Sequence, residues 1–336
     1  MKKTTLILSA CACLLGFAVT ALAGGPVKLT YSNFFPPTHI QSQLAEQWCR
    51  EVEKRTNGKV RIDYFPGSTL SKAHQNYDGV VEGISDIGMS CLAYSRGRFP
   101  VMAAIDLPLG YRTGAQATRV ANAVYEHFKP EELSDVQPMY FHAHGPGLLF
   151  TTEKPVAAMA DLKGLKIRST GNSALLVEAL GGTPVAKPMS ETYQSLQRGI
   201  VDGSIHPVES NKGWKLAEVV KFGTESFSVA YTTTFFVVMN KDKWNALDPD
   251  VQAAIMQINK EWADRHGAAW DDADALGRQY LLDQGGKFIA LSDAESAAWA
   301  KAAQPVMDQY VKTVAEKKID GAAVVDFIKA EMTKAQ

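Results

Sequence analysis

The chain has 336 residues, and its 35 basic and 36 acidic side chains give a formal net charge of -1. Such a near-neutral sequence contains no basic block, which argues against nucleic acid and against an anionic membrane surface as partners. Its length suits one large or two medium-sized domains.

The first 23 residues have the pattern of a secretory signal peptide. Lys2 and Lys3 precede an apolar run over residues 6–19 and a small-residue cleavage site that ends at Ala23. The apolar run is too short for a comfortable membrane span. An alternative is a lipoprotein cleavage box at residues 8–11, but cutting there would leave only about four apolar residues. We therefore expect export to the periplasm with cleavage after about Ala23.

Two cysteines remain after that cleavage, Cys49 and Cys91. In an oxidising compartment they could form a disulfide. They could equally remain buried, small apolar residues, which is the commoner fate of an unpaired thiol. The sequence leaves both possibilities open.

Strand and helix patterns alternate along the first part of the chain. The spacing predicts a strand over 27–35, a helix from about 40 to 56 that ends at Asn57-Gly58, and a strand over 59–65. A further helix ends at Gly83 and is followed by a short buried strand. This order predicts a mostly parallel sheet with helices on both faces.

The same pattern returns later in the chain. A strand is predicted to begin at 166–168, followed by a helix over 173–180, a strand over 183–186 and a helix that Ser190 caps and Gly199 ends. The tetrapeptide at 83–86, Gly-Ile-Ser-Asp, is echoed by Gly-Ile-Val-Asp at 199–202. These repeats predict two α/β lobes.

A long helix follows the second set of strands. Asp248 is suited to the helix cap and Pro249 to the first turn, and helical spacing continues to Gly285-Gly286. About 35 residues give a length of ~50 Å, more than one lobe of this size needs. Beyond it, Ser292 and Glu295 predict a capping box for a helix that we expect to be interrupted at Pro305. A short amphipathic helix is expected from residue 320 onwards.

Three segments in the second half form a recognisable set. Asp-Leu-Lys-Gly-Leu-Lys-Ile-Arg-Ser-Thr at 161–170 is followed by Ser-Glu-Thr-Tyr at 190–193 and Gly-Ile-Val-Asp-Gly at 199–203. Together they resemble the motifs of the solute-binding proteins of TRAP transporters, the DctP family. The resemblance extends over nearly the whole exported chain.

This resemblance implies an α/β, two-lobed periplasmic binding protein fold of the type II-like kind. Each lobe is then a mixed, mostly parallel sheet flanked by helices, and one long helix spans both lobes. The implied division places residues 24–145 and 232–272 in lobe I. Residues 146–231 and 273–336, with the C-terminal helices, form lobe II.

The resemblance also implies a function. The chain would capture a small-molecule organic anion outside the inner membrane and deliver it to the membrane permease subunits of a TRAP-type transporter. We expect a monomer that needs no cofactor and catalyses nothing. No phosphate-binding glycine loop, nucleophile elbow or zinc-protease motif is present to support an enzyme.

Arg168 is the main candidate for ligand binding. The resemblance implies that this arginine grips the carboxylate of the ligand. A guanidinium suits that role because its planar fork makes two parallel charge-assisted hydrogen bonds with a carboxylate. The alternative is an ordinary salt bridge to a neighbouring acidic residue.

Two departures from the family pattern bear on the ligand. The family places a second arginine about twenty residues upstream, where this chain has Leu148, and a ligand-contacting asparagine where it has His206. The missing arginine disfavours a sialic-acid-type site and favours one carboxylate on a more apolar body. An imidazole at His206 can still donate a hydrogen bond, although it could also be a structural histidine of the turn.

The remaining candidates come from both lobes. Asn33, Phe34 and His39 lie where the first strand turns into the first helix, the crevice in which open α/β lobes bind ligands. Other candidates are expected from position in the resembling family, although packing roles remain alternatives for the aromatic ones: Cys91, Tyr94, Met189, Glu209, Trp214 and Tyr231.

The pair His142 and His144 is a weak metal candidate. Alternation along a strand puts both imidazoles on one face, but two ligands do not make a zinc site. We therefore expect no metal and place His144 in the cleft or hinge.

Ligand identity is the least determined property. An aromatic or indole-type monocarboxylate is favoured by the single arginine and by the aromatic candidate residues Phe34, Tyr94, Trp214 and Tyr231. Small dicarboxylates and sugar acids, both common in the family, are the alternative. A periplasmic enzyme or a sensor subunit on the same fold are alternatives of a different class.

Overall fold

A computed structural model describes residues 25–334, so the predicted signal peptide and the alternative lipoprotein box lie outside the described residues. The strands are β1 (Val27–Asn33), β2 (Val60–Phe65), β3 (Ile87–Cys91), β4 (Val136–Ala143), β5 (Gly147–Thr151), β6 (Lys166–Ser169), β7 (Thr183–Ala186), β8 (Gly203–Pro207), β9 (Phe222–Glu225), β10 (Thr234–Asn240) and β11 (Lys287–Ala290). The helices are α1 (Ile40–Arg55), α2 (Asn76–Val81), α3 (Gly114–Phe128), α4 (Gly171–Ala179), α5 (Thr192–Gln197), α6 (Ser210–Gly213), α7 (Lys241–Asn245), α8 (Pro249–Asp283), α9 (Asp293–Ala315) and α10 (Gly321–Thr333).

The strands form two sheets, one for each lobe. The first has the order β2-β1-β3-β10-β4 and the second the order β11-β9-β5-β8-β6-β7. In each sheet three strands run parallel, β2-β1-β3 and β7-β6-β8, and an antiparallel strand from the other part of the chain pairs with the third of them. The predicted two-lobed α/β fold is confirmed, although the first sheet contains as many antiparallel as parallel pairings.

The echo between residues 83–86 and 199–202 has a structural counterpart. Gly83 and Gly199 both have positive φ, 76° and 64°, as expected where a helix ends. The Asp86 carboxylate accepts a hydrogen bond from the backbone N–H of Thr30 at 2.8 Å, and Asp202 accepts one from Lys166 at 2.7 Å. Each aspartate therefore ties the loop before a strand to the neighbouring parallel strand of its own lobe.

The chain crosses between the lobes at several places. Residues 144–146 join β4 to β5, and residues 226–233 join β9 to β10. The two crossings touch, since the Gly147 N–H donates to the Tyr231 carbonyl at 2.8 Å and the Thr232 hydroxyl donates to the His144 carbonyl at 2.6 Å. These hydrogen bonds form a two-stranded connection behind the space between the lobes.

The long helix α8 runs across both lobes, as the family resemblance implies. In the first lobe, Trp48 donates its indole N–H to Asn259 at 3.0 Å, and Trp262 donates to the Leu44 carbonyl at 2.8 Å. At the other end Gly277 lies against the chain between β8 and α6, where a side chain would not fit. The predicted cap, Asp248, and first residue, Pro249, occupy those positions.

The C-terminal helices, which we expected to belong to the second lobe, pack for most of their length in a core that both lobes share. Only the beginning of α9, with Trp299 and Ala303, packs in the core of the second lobe. From Val306 onwards α9 joins α10 in a core that is shared with α3 of the first lobe. The reason is that α10 packs on the apolar side of α3, and the second half of α9 packs with α10 in the same core.

Three local expectations also need correction. Pro305 does not interrupt α9, which runs continuously from 293 to 315. The Ser292 hydroxyl accepts from the Glu295 N–H as predicted, but the Glu295 carboxylate accepts from the Met159 N–H at 3.0 Å. Ser190 lies in a 3-10 turn, and α5 begins two residues later. Tertiary contacts and turn geometry therefore override the local sequence signals here.

We searched residues 25–334 for a helix that is both long and apolar enough to span a membrane, and found none.

We predict that Gly277→Ala lowers the thermal unfolding midpoint by roughly 2–6 °C. A Cβ at this position would lie 2.7 Å from Cα of Glu209 and closer still to the Val208 carbonyl oxygen, and backbone atoms cannot move aside easily. This overlap should outweigh the gain of up to about 1 kcal/mol in helix propensity. The control is Gly25→Ala, where a Cβ meets no atom within 4 Å. An unchanged or higher midpoint for Gly277→Ala would contradict the close approach of α8 to the second lobe.

Candidate functional site

A buried cavity lies between the two lobes. It encloses about 380 Å³ of empty space, including its opening to solvent. The lining residues are Phe34, Phe35, Cys91, Tyr94, His144, Arg168, Thr170, Met189, Pro207, Glu209, Ser210, Trp214, Tyr231, Thr233, Phe235 and Trp270.

Aromatic rings, most of them from the first lobe, form one wall of the cavity. Phe34 lies between Trp214 and Phe235, with ring centroids 6.1 and 6.2 Å away and nearly parallel planes. Phe235 also stacks on Trp270 at 5.3 Å. The turn after β1 presents Phe34, and strand β10 presents Phe235. This wall offers flat apolar surfaces to a ligand.

Arg168 provides a positive charge on the second-lobe side. It lies in β6 and is only 3% exposed. Its Nε donates to the Lys187 carbonyl at 2.8 Å, and one terminal nitrogen lies 3.5 Å from the Ile205 carbonyl. No acidic side chain among residues 25–334 forms an ion pair with it. A buried cation held only by carbonyl groups is expected to favour an anionic ligand, because removing a charge from water is costly.

His144 lies at the crossing between the lobes and lines the cavity. Its Nδ1 donates to the Gly145 carbonyl at 2.6 Å, which leaves Nε2 as an acceptor. Burial lowers the pKa of His144 to about 4, and the positive charge of Arg168 acts in the same direction. The imidazole is therefore neutral at physiological pH.

Glu209 brings a second charged group to the cavity. It is 2% exposed and follows β8 of the second lobe. Its Oε2 lies 3.1 Å from Nε2 of His39, which belongs to the first lobe, and its Oε1 accepts from the Ser210 hydroxyl at 2.7 Å. The His39–Glu209 contact thus joins the two lobes at the edge of the cavity.

Two further hydrogen bonds join the lobes. The backbone N–H of Met189 donates to the Tyr94 hydroxyl at 2.9 Å, and the Asn172 side chain donates to the Ala103 carbonyl at 2.7 Å. With the His39–Glu209 contact they surround the cavity on several sides. The lobes are therefore closed in this structure.

Most of the residues predicted from sequence meet in the cavity, and three do not line it. Those that line it are Phe34, Cys91, Tyr94, His144, Arg168, Met189, Glu209, Trp214 and Tyr231. Asn33 lies behind the wall: its amide donates to the Tyr64 hydroxyl at 2.8 Å and accepts from the Phe35 N–H at 2.9 Å. It holds the turn that presents Phe34. His39 contacts the cavity through Glu209.

His206 faces away from the cavity. It stacks on Phe150 of the neighbouring strand with ring centroids 4.2 Å apart, and its Nε2 lies 3.4 Å from the Asn211 amide oxygen. Its neighbour Pro207 lines the cavity instead, since successive residues of a strand point to opposite faces.

Several lining residues were not predicted from sequence. Phe235 and Trp270 are far along the chain from the motifs that indicated the site. No sequence motif pointed to Thr233, which lies at the crossing before β10, or to Ser210, which lies beside Glu209. The antiparallel return of β10 between β3 and β4 brings Phe235 to the site. If the pairing of β10 with β3 and β4 had been predicted, Phe235 would have been identified as a lining residue.

The two cysteines are free thiols, and both are buried. Burial raises the pKa of the Cys91 thiol, which lines the cavity, and of the Cys49 thiol in α1. His142 accepts a hydrogen bond from Trp270 at 3.0 Å and stacks on His266 with centroids 4.3 Å apart. Residues 25–334 contain no cluster of three or more side chains suited to hold a metal ion.

Two lobes closed over a cavity with a buried cation define the class of two-lobed solute-binding proteins. The chain matches the family described as bacterial extracellular solute-binding protein, family 7 (DctP) over residues 31–313. The chain belongs to this family, whose members bind solutes for transport and are not a class of enzymes.

Solved structures of TRAP solute-binding proteins resemble this chain closely. One from Bordetella bronchiseptica, with bound (R)- and (S)-mandelate, is 31% identical with a TM-score of 0.86, and the match covers 92% of this chain and 99% of that one. Another, from an unidentified marine microbe, is specific for aromatic acids and was solved with 3-hydroxybenzoate. It is 28% identical with a TM-score of 0.88, covering 93% of this chain and 99% of that one.

A curated relative binds a different kind of acid. The 2,3-diketo-L-gulonate-binding periplasmic protein YiaO of Escherichia coli is 31% identical over 253 residues, which cover 74% of this chain and 76% of that protein. Family membership therefore leaves the class of carboxylate open.

We predict that His206→Gln reduces the loss of stability on acidification. Burial lowers the pKa of His206 to about 3, below the ordinary value of 6.5, and Arg168 lowers it further. The unfolded chain then binds more protons between about pH 6.5 and 3, so the stabilising contribution is present above pH 6.5 and is lost as the pH falls. Urea unfolding at pH 7 and 4.5 should show a smaller difference for the variant than for the wild type.

The control for this experiment is the exposed His74, whose replacement by Gln should keep the wild-type pH dependence. Buried acids such as Asp106, whose pKa burial raises to about 7, act in the opposite direction but are the same in all three proteins. If His206→Gln matches the wild type at both pH values, His206 is not a neutral buried histidine.

Proposed function

We propose that this chain is the periplasmic binding subunit of a TRAP-type transporter and captures an aromatic or indole-type monocarboxylate between its lobes. Arg168 binds the carboxylate, and the rings of Phe34, Trp214 and Phe235 pack against the ligand body. The observation that carries this proposal is the buried Arg168 guanidinium without an acidic partner, opposite an aromatic wall.

Closure of the lobes strengthens the attraction between Arg168 and the carboxylate of the ligand. When the lobes close, water leaves the cavity, and the attraction between guanidinium and carboxylate is screened less than in water. A ligand that touches both lobes stabilises the closed state through contacts absent from the open one. The closed protein then docks on a membrane permease of the TRAP type.

The same proposal covers location and chemistry. Residues 1–23 act as a cleaved signal peptide that exports the chain to the periplasm, where the named relatives work. The ligand leaves unchanged, because the cavity serves binding and release rather than catalysis. Mass spectrometry of an acid incubated with the protein tests this point, and a chemically converted acid would contradict a role in binding alone.

A sugar acid is the second candidate ligand, favoured by the likeness to the diketo-gulonate binder. Such a ligand needs many hydrogen-bonding groups around its hydroxyls. The aromatic wall offers few, which is why we prefer an aromatic acid.

We predict that Arg168→Ala weakens ligand binding by at least about 2 kcal/mol, the scale of a buried hydrogen bond to a charged group, or roughly thirtyfold in Kd. Isothermal titration calorimetry with the best ligand of the wild type measures this change. The matched control is Arg198→Ala, an exposed arginine of the same lobe, which should bind like the wild type. Equal binding by wild type and Arg168→Ala would rule out the proposed role.

We predict that aromatic monocarboxylates raise the unfolding temperature more than other acids do. A thermal-shift panel should contain benzoate, mandelate, phenylacetate and indole-3-acetate beside succinate and glucuronate, each at equal concentration. Flat ligands should respond best because they stack on Phe34 and Trp214. The largest shift with succinate or glucuronate would contradict the aromatic preference while leaving the binding function intact.

A further inference from the structure

The carboxylate of Glu209 is the second buried charge of the ligand cavity. Of the described residues that line the cavity, Arg168 and Glu209 alone have side chains that are charged at neutral pH. The two do not form an ion pair with each other, so each is available to a ligand. His144 lies near both charges.

The hydrogen bonds of His39 fix the proton on its ring. His39 caps helix α1, and its Nδ1 accepts a hydrogen bond from the Gln41 backbone N–H at 3.2 Å. An accepting nitrogen carries no proton, so the ring is the neutral tautomer with hydrogen on Nε2. That Nε2–H donates to Oε2 of Glu209 at 3.1 Å.

Glu209 consequently has no cationic partner among residues 25–334. Its Oε2 accepts from the neutral His39, and its Oε1 accepts from the Ser210 hydroxyl. A carboxylate has about four lone-pair positions, of which these two bonds use two. The group therefore retains acceptor capacity at the cavity wall.

Other donors and acceptors around the cavity sharpen this picture. The hydroxyl of Tyr231 donates to the Ile205 carbonyl at 3.1 Å, and the indole N–H of Trp270 donates to His142 at 3.0 Å. Both donors are thus used within the protein. His144 offers an accepting Nε2, so Glu209 and His144 together present acceptors that need a donor from the ligand.

We propose that Glu209 is a specificity-determining residue: the site takes an aromatic monocarboxylate that also carries a hydrogen-bond donor, a hydroxyl or an ammonium group, and rejects dicarboxylates. This inference rests on the proposed binding of a carboxylate by Arg168. One cation and one anion in the cavity match a ligand with one carboxylate and one donor. A second carboxylate would face the buried charge of Glu209, and like charges repel strongly where water is excluded.

Binding measurements on the wild type test the selectivity directly. Calorimetry at pH 7 compares benzoates substituted at the 3- or 4-position with hydroxyl, aminomethyl, methoxy or a second carboxylate. We expect the better of the hydroxyl and aminomethyl acids to bind at least about tenfold tighter than the methoxy acid, which lacks a donor. The dicarboxylates should bind at least about tenfold more weakly than benzoate itself. The hydroxyl and aminomethyl arms distinguish the two kinds of donor.

The variant Glu209→Gln then assigns the selectivity to its residue. The neutral amide can donate as well as accept, so the preference for the hydroxyl or aminomethyl acid over the methoxy acid should fall to below about threefold, and the dicarboxylates should gain at least about tenfold. The matched control is Glu178→Gln, an exposed glutamate of the same lobe, which should keep the wild-type ratios.

The outcomes separate this inference from the proposed function. If the wild type binds dicarboxylates as tightly as benzoate, or prefers the methoxy acid, the inference is wrong whether or not the variant folds. It is also wrong if Glu209→Gln keeps the wild-type ratios. In either case the proposed function still stands if Arg168→Ala weakens all the acids. If none of the acids binds the wild type, both proposals fall.

Discussion

The buried guanidinium of Arg168 is the constraint on which the rest of the site depends. Taking an arginine out of water costs several kcal/mol unless other groups compensate it. Here the Lys187 and Ile205 carbonyls compensate it only in part, and both belong to the backbone of the same lobe as the arginine. Under the proposed function, the carboxylate of the ligand supplies the compensation that these carbonyls leave incomplete. Ligand binding and lobe closure would then be coupled through this one charge.

The fold supplies what this charge needs. Strand β6 fixes the arginine at the cleft, and the antiparallel strand β10 returns to the first lobe with Phe235 opposite. The long helix α8 places Trp270 in the same wall while its far end rests on the second lobe. Parts of the chain that are distant in sequence therefore converge on one cavity, which is lined by strands, by the turns at their ends and by residue Trp270 of α8.

Local patterns predicted much of this arrangement. Helical spacing predicted α8 from its cap at Asp248 to its end. The motif around Arg168 predicted the strand that carries this arginine. The repeat at 83–86 and 199–202 reflects a shared device, an aspartate that ties a loop to a parallel strand. Such features succeed because they depend on neighbours within a few residues.

Sequence reasoning failed where the outcome depended on distant partners. We expected Asn33 and His206 to contact the ligand, yet Asn33 is held by Tyr64 and His206 stacks on Phe150. The Glu295 carboxylate does not complete the expected capping box, because it accepts a hydrogen bond from the Met159 N–H instead. The C-terminal helices pack partly against the first lobe, because their apolar residues share a core with those of α3. None of these partners is close in sequence.

Pro305 gives the second crossing helix a property that α8 lacks. It lies between Ala303, packed in one lobe, and Val306, packed in the other. Proline has no amide hydrogen, so the carbonyl of Lys301 lacks its usual partner at the boundary. One backbone hydrogen bond fewer therefore opposes bending of α9 at this point, where α9 and α10 would have to follow a relative motion of the lobes.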